Sequence, residues 1–175
     1  MGFRVSKRVI DYYRCNGSYV FSCFLDLTKA FDRVNHALLF SKLAKLNFPV
    51  NIVKILIYWY ANQQVNVRWK NSVTECFQMV NGTRQGSVLS PYLFGIYMRD
   101  VSASVTTSGV GCYIGSMSCT IILYADDIVL LSPSWCSLQK LIDICISVTA
   151  KLDMIFNAKK SVSMIFAPFF GVLPT

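Results

Sequence analysis

Charge is scarce in this chain of 175 residues: Asp, Glu, Lys and Arg make up 15%, where an average soluble domain carries roughly 25%. Hydrophobic residues make up 54% and the mean hydropathy is +0.45, which excludes extended disorder. So few charges cannot coat a whole domain surface. The expectation is a piece of a larger protein, with apolar faces that meet segments outside this chain. Histidine occurs once, at His36, and none of the seven cysteines (Cys15, Cys23, Cys76, Cys112, Cys119, Cys136, Cys145) stands in a C-x-x-C pair. Zinc-ligand spacing and a disulfide framework are both excluded, and reduced thiols fit a cytosolic or nuclear setting. No apolar run reaches the roughly 18 residues of a membrane span: 50–61 is broken by Asn51 and Lys54, and 121–131 by two aspartates.

The charge that is present leans to one sign. Seventeen basic residues stand against nine acidic ones, a net +8 with a pI near 9.2. Such an excess suits a polyanion, either nucleic acid or an acidic membrane surface. The length is about that of one domain, and no repeat or low-complexity linker divides it.

Residues 19–25 are aromatic and β-branched enough for a strand. Asp32 is placed to cap a helix carrying Leu39, Leu43 and Leu46, which Pro49 ends. A second helix follows with Ile52, Ile55, Leu56 and Trp59 on one face, then a hairpin over 65–80 turning at Lys70-Asn71-Ser72. Ser90-Pro91 starts a helix through about Val101, and 109–118 reads as a Gly/Ser-rich loop. Two short apolar runs, 121–125 and 128–131, flank Asp126 and Asp127; a helix from Trp135 to about Leu152 comes next, and alternation returns around 157–160. Interleaved helices and hairpins give an α+β class.

With nine carboxylates in all, their positions carry information. Asp26 ends the apolar run 20–25, and Asp126-Asp127 interrupts another. Adjacent carboxylates inside apolar strands are opposed by desolvation and by mutual repulsion. A divalent cation between them offsets both. Oxygen-only ligands favour Mg²⁺, with Mn²⁺ as the alternative. Two such ions about 3.5–4 Å apart serve in-line phosphoryl displacement. The competing reading makes Asp126-Asp127 an exposed turn and Asp26 a helix cap; the carboxylates alone do not decide between the two.

Their company does. Phe24-Leu25-Asp26-Leu27-Thr28-Lys29-Ala30-Phe31-Asp32-Arg33-Val34-Asn35-His36 resembles the first palm motif of the reverse transcriptase of non-LTR (LINE-type) retrotransposons. Thr83-Arg84-Gln85-Gly86-Ser87-Val88-Leu89-Ser90-Pro91-Tyr92-Leu93-Phe94 resembles its second, Tyr124-Ala125-Asp126-Asp127 its aspartate box, and Asn157-Ala158-Lys159-Lys160-Ser161 its fourth. The resemblance spans about 10–167.

The resemblance implies a polymerase palm, a small antiparallel sheet backed by helices, with Asp26 and the aspartate box side by side. It implies an RNA-directed DNA polymerase taking an RNA template, a DNA primer and deoxynucleoside triphosphates. Asp26, Asp126 and Asp127 would hold two Mg²⁺ ions, with Asp126 more direct than Asp127 and the Leu27 carbonyl contributing. Lys160 would protonate the leaving pyrophosphate. Phe31 would lie beneath the sugar and exclude a 2′-hydroxyl, Gln85 and Gly86 would lie under the incoming base pair, Arg84 offers a phosphate contact, and Tyr124 would pack at the primer end. In the family, fingers precede the palm and a thumb follows it. The expected organisation is therefore a palm core over 1–168, with 1–18 a remnant of the fingers connection, fingers and thumb largely missing, and a structureless tail over 169–175. A rival from another class is a non-catalytic remnant that binds RNA or a protein partner. A palm-like nucleotidyl cyclase is weakened by Phe31 and Gln85.

Overall fold

The computed structural model describes residues 2–84 and 86–169. The chain forms two compact units, one built from 1–30 and 98–175, the other from 31–97.

The first unit is organised by a four-stranded antiparallel sheet. Helix α1 (Gly2–Cys15) leads into β1 (Val20–Asp26). The opening residues, to which no element is assigned above, are helical because Ser6, Val9, Ile10 and Tyr13 recur at i, i+3, i+4 and i+7, the stripe of an amphipathic helix.

In the second unit a short 3₁₀ turn, Phe31–Arg33, precedes α2 (His36–Lys45) and α3 (Val50–Ala61). Asn35, not Asp32, caps α2: its side-chain oxygen accepts from the N–H groups of Ala37 at 3.0 Å and Leu38 at 3.2 Å. Asp32 is occupied in the 3₁₀ turn. Helix α2 ends at Lys45, before Pro49, because Asn47 turns the chain through φ +56°; Pro49 instead opens α3. The hairpin over 65–80 forms as two short pairs, β2 (Gln64–Val65) with β5 (Phe77–Gln78) and β3 (Arg68–Trp69) with β4 (Ser72–Val73), turning at Lys70. Helix α4 (Ser90–Tyr97) completes the unit, and α2 packs on both α3 and α4. Leu39, Leu43, Leu56, Tyr60, Phe94 and Tyr97 are buried here, whereas Ile52, Ile55 and Trp59 of the predicted α3 stripe are exposed.

The helix read as running from Ser90 to Val101 is broken at Met98, and α5 (Arg99–Thr106) starts anew with Asp100 in its first turn. The 109–118 loop contains a small hairpin, β6 (Tyr113–Ile114) with β7 (Met117–Ser118). Strands β8 (Ile121–Tyr124) and β9 (Asp127–Ser132), helix α6 (Trp135–Ala150) and β10 (Val162–Phe166) follow. The sheet order is β10-β1-β9-β8. Ser134 caps α6 by accepting from Ser137 N–H at 3.3 Å.

Alternation sorts the sheet into two faces. Val20, Leu131, Ile122 and Val129 lie on one face and join Val9, Ile10 and Tyr13 of α1 in a core. Leu25, Ile128 and Leu130 lie on the other and are buried, with α6 packed on β1 and β9 and α5 packed on α6. All seven cysteines are unbridged. Among the described residues no helix is long and apolar enough to cross a membrane. Of the tail read as structureless, Phe169 packs its ring 3.9 Å below the Arg14 guanidinium, and 170–175 lie outside the described residues.

Candidate active site

Apolar alternation carries β1 up to its last residue, Asp26, and the same register carries β9 down to its first, Asp127. These two are direct cross-strand partners. Asp26 directs its own carbonyl to the other side of the strand, where it accepts from Asn157 N–H at 2.8 Å. The pair is therefore of the non-hydrogen-bonded kind, with Cα atoms typically ~4.5 Å apart and side chains at their closest approach. Both side chains stand on the sheet face that α1 covers further along, so two like charges face each other at its open end.

A tight two-residue turn, Ala125-Asp126, joins β8 to β9. Ala125 holds φ +52° while Asp126 does not share the left-handed region. A type II′ hairpin turn has this sign pattern and usually places glycine first. A non-glycine residue here stores strain of order 1 kcal/mol. The turn brings Asp126 next to Asp127. Partial burial, reinforced by the charges of Asp126 and Asp26, pushes the Asp127 carboxyl above its ordinary range.

A cleft of about 400 Å³ opens at this end of the sheet. Its lining includes Phe24, Asp26, Ile122, Tyr124, Asp127, Val129 and Lys160, with Ser6 of α1 above them. Tyr124 is 62% exposed, so it does not fill core. Asp126 sits in the turn and not among the lining residues. Leu27 is buried, yet its neighbours show where its main chain points: Asp26 C=O and Thr28 N–H both bond to the 155–157 segment. The N–H and C=O of Leu27 therefore face the opposite side of the strand, toward the Asp126–Asp127 turn.

Among the described residues no ready-made group of three or more His, Cys, Asp or Glu side chains could hold a metal ion. Mg²⁺ needs less than that, since one or two carboxylates suffice when water and substrate phosphates complete its shell. Asp26 and Asp127 supply such a pair, with the charge of Asp126 alongside.

The remaining predicted residues belong to the other unit. Phe31 sits in the 3₁₀ turn with its ring 4.8 Å from that of Phe94. Arg84 reaches the side-chain oxygen of Gln63, once that amide is oriented to accept, and its charge is felt by Tyr60. Gly86 has φ +83°, a conformation that favours glycine, and a Cβ there would meet nothing within 4 Å. Gln85 lies outside the described residues. Sequence reasoning missed Ser6, whose place in the α1 stripe was the available signal, and it gave Asn157 and Ser161 no role of their own.

A family model described as reverse transcriptase (RNA-dependent DNA polymerase) matches residues 1–171. The RNA-directed DNA polymerase from mobile element jockey of Drosophila funebris is 32% identical over 160 residues, 85% of this chain and 16% of that protein. The Pol polyprotein from type-2 retrotransposable element R2DM of Drosophila melanogaster is 29% identical over 142 residues, 79% of this chain and 13% of that protein. This chain thus spans under a fifth of either relative. Among solved structures, apo telomerase from Candida tropicalis, truncated from its C-terminal domain, matches with a TM-score of 0.70 at 17% identity, over 94% of this chain and 34% of that one. That likeness shows a shared palm-type fold. The chain belongs to the reverse transcriptase family, and its relatives are proteins of non-LTR retrotransposons.

Proposed function

We propose that this chain carries the nucleotidyl-transfer centre of an RNA-directed DNA polymerase, which extends a DNA primer on an RNA template with deoxynucleoside triphosphates. The observation that carries this reading is the register that sets Asp26 opposite Asp127 at the mouth of the cleft. Two facing carboxylates with a third beside them destabilise a fold that has no use for them, and they suit a site that receives cations with the substrate.

In this reading Asp26 and Asp126 would hold Mg²⁺, with Asp127, which faces Asp26 across the strands, and the Leu27 carbonyl as further oxygen donors. The bound ions supply charge neutralisation on the triphosphate and lower the pKa of a primer 3′-hydroxyl. The protein's own contribution is positioning. Phe24, Ile122 and Val129 give the cleft an apolar floor that limits water around the carboxylates. The open ring of Tyr124 offers a flat surface for the primer terminus. The ammonium of Lys160, in the same cleft, is placed to give a proton to a departing phosphate oxygen. Phe31, Arg84, Gln85 and Gly86 keep the roles that the family resemblance implies: sugar selection, a phosphate contact and support of the base pair.

Mg²⁺-dependent extension of a DNA primer on an RNA template tests this, in this chain or in one extended at both ends. Extension by the natural sequence and its loss by at least two orders of magnitude in Asp126→Asn is the expected result. Retained RNA binding with no extension by any form would instead favour a non-catalytic RNA-binding module.

A further inference from the structure

The β1–β10 ladder stops short of the site. Its last pair is Phe24 with Val162, and the same register continued would set Asp26 opposite Lys160. The chain instead leaves the ladder through the 157–160 turn, and the main chain of Asp26 finds other partners. Its carbonyl accepts from Asn157 N–H at 2.8 Å, and its N–H donates to the Ser161 hydroxyl at 3.3 Å. That hydroxyl in turn donates to the Asn157 carbonyl at 2.9 Å. The Asn157 carbonyl also accepts from the N–H groups of Lys160 at 3.1 Å and Ser161 at 2.9 Å. Lys160, removed from pairing, lines the cleft beside Asp26 and Asp127. Extra residues in a strand re-aim a side chain in the same way at β-bulges.

We propose that Ser161 is a positioning residue. Its hydroxyl replaces the ladder carbonyl that would otherwise hold Asp26, and so ties the angle of the Asp26 carboxylate and the reach of Lys160 to one turn. A hydroxyl is the group this place requires, because it accepts from Asp26 and donates to Asn157 at once. Alanine offers neither bond, threonine offers both, and cysteine keeps the shape with much weaker bonding. The metal arm of the test rests on the function proposed above; the clamp itself does not.

Two readouts decide the matter in the full chain and in Ser161→Ala, Ser161→Thr and Ser161→Cys. The first is amide hydrogen exchange at Asp26. It should quicken about fivefold in Ser161→Ala, the change that losing one ordinary net hydrogen bond produces, and return to the natural rate in Ser161→Thr. The second is the Mg²⁺ concentration that half-saturates the rise in Tm, expected to increase about threefold to tenfold in Ser161→Ala and to be restored in Ser161→Thr. If Ser161→Ala does not fold, the contrast between Ser161→Cys and Ser161→Thr carries both readouts. Unchanged exchange and unchanged half-saturation overturn the proposal, as does a loss that threonine fails to restore. If Mg²⁺ leaves the Tm of the natural sequence unmoved, the metal-binding reading fails, and Asp26 exchange alone then decides for or against the clamp.

Discussion

Asp26 and Asp127 face each other across β1 and β9 as a direct, non-hydrogen-bonded pair, with the burial and neighbouring charges of the site holding the Asp127 carboxyl above its ordinary range. The native state therefore keeps the Asp127 proton to higher pH than the unfolded chain does. Its charge opposes folding in full above the raised pKa and not at all below the ordinary value of 3.8. Stability from this group falls as pH rises through that window. Asp127→Asn should then raise the Tm of the metal-free protein by about 1–2 °C at neutral pH, a size that allows for solvent screening of an exposed carboxylate. The gain should vanish near pH 3. Tm measured against pH in chelator-treated buffer checks both the sign and the window.

Ala125 makes the turn that delivers Asp126 and Asp127, and it does so at φ +52°. Glycine there removes the Cβ clash but adds freedom to the unfolded chain, so the two effects nearly cancel. Ala125→Gly should change Tm by no more than about 2 °C. Ala125→Val, β-branched in the left-handed region, should lower it by roughly 4–8 °C. Thermal unfolding of the two variants side by side is the check.

Gly82 occupies φ +90°, and a Cβ there would lie 2.9 Å from the Asp32 carbonyl oxygen. Its N–H donates to Val34 at 2.8 Å, and its own carbonyl lies 2.7 Å from His36 Nε2. The obstructing atom is backbone and cannot swing aside. Gly82→Ala should cost about 2 kcal/mol or more, a drop in Tm of roughly 4–8 °C. In the first unit, exchange protection of β1 and β9 amides would show whether the damage stays local.

Phe31 bears two readings that one variant separates. Its ring packs 4.8 Å from Phe94, which predicts that Phe31→Ala loses about 2 kcal/mol of stability. A role beneath the sugar predicts, in addition, a roughly tenfold or greater rise in ribonucleotide relative to deoxynucleotide incorporation. A fall in Tm with unchanged discrimination would mark the ring as packing alone.

Much of this architecture is legible in the sequence, and the residues show why. Short apolar runs bounded by aspartates read as strands with carboxylates at their ends, and β1 ends on Asp26 while β9 begins on Asp127. Periodicity marks which residues are apolar but not which of them a partner covers, so of the expected α3 stripe only Leu56 is buried, with Tyr60 beside it, while Ile52, Ile55 and Trp59 lie exposed. Asp32 and Asn35 are both good caps by residue type, and only the 3₁₀ turn over Phe31–Arg33 decides between them. The break at Met98 follows a run, Pro91 to Tyr97, that reads as unbroken helix. The Ser161 bond to Asp26 joins residues 135 positions apart and leaves no trace in local pattern.

The most direct test of the central claim is Mn²⁺ binding followed by electron paramagnetic resonance, in the natural sequence and in Asp26→Asn and Asp127→Asn. If the facing carboxylates form the metal site, the natural sequence takes up Mn²⁺, Mg²⁺ competes it off, and each variant raises the Mn²⁺ dissociation constant about tenfold or more. Equal Mn²⁺ uptake by all three proteins would contradict the account.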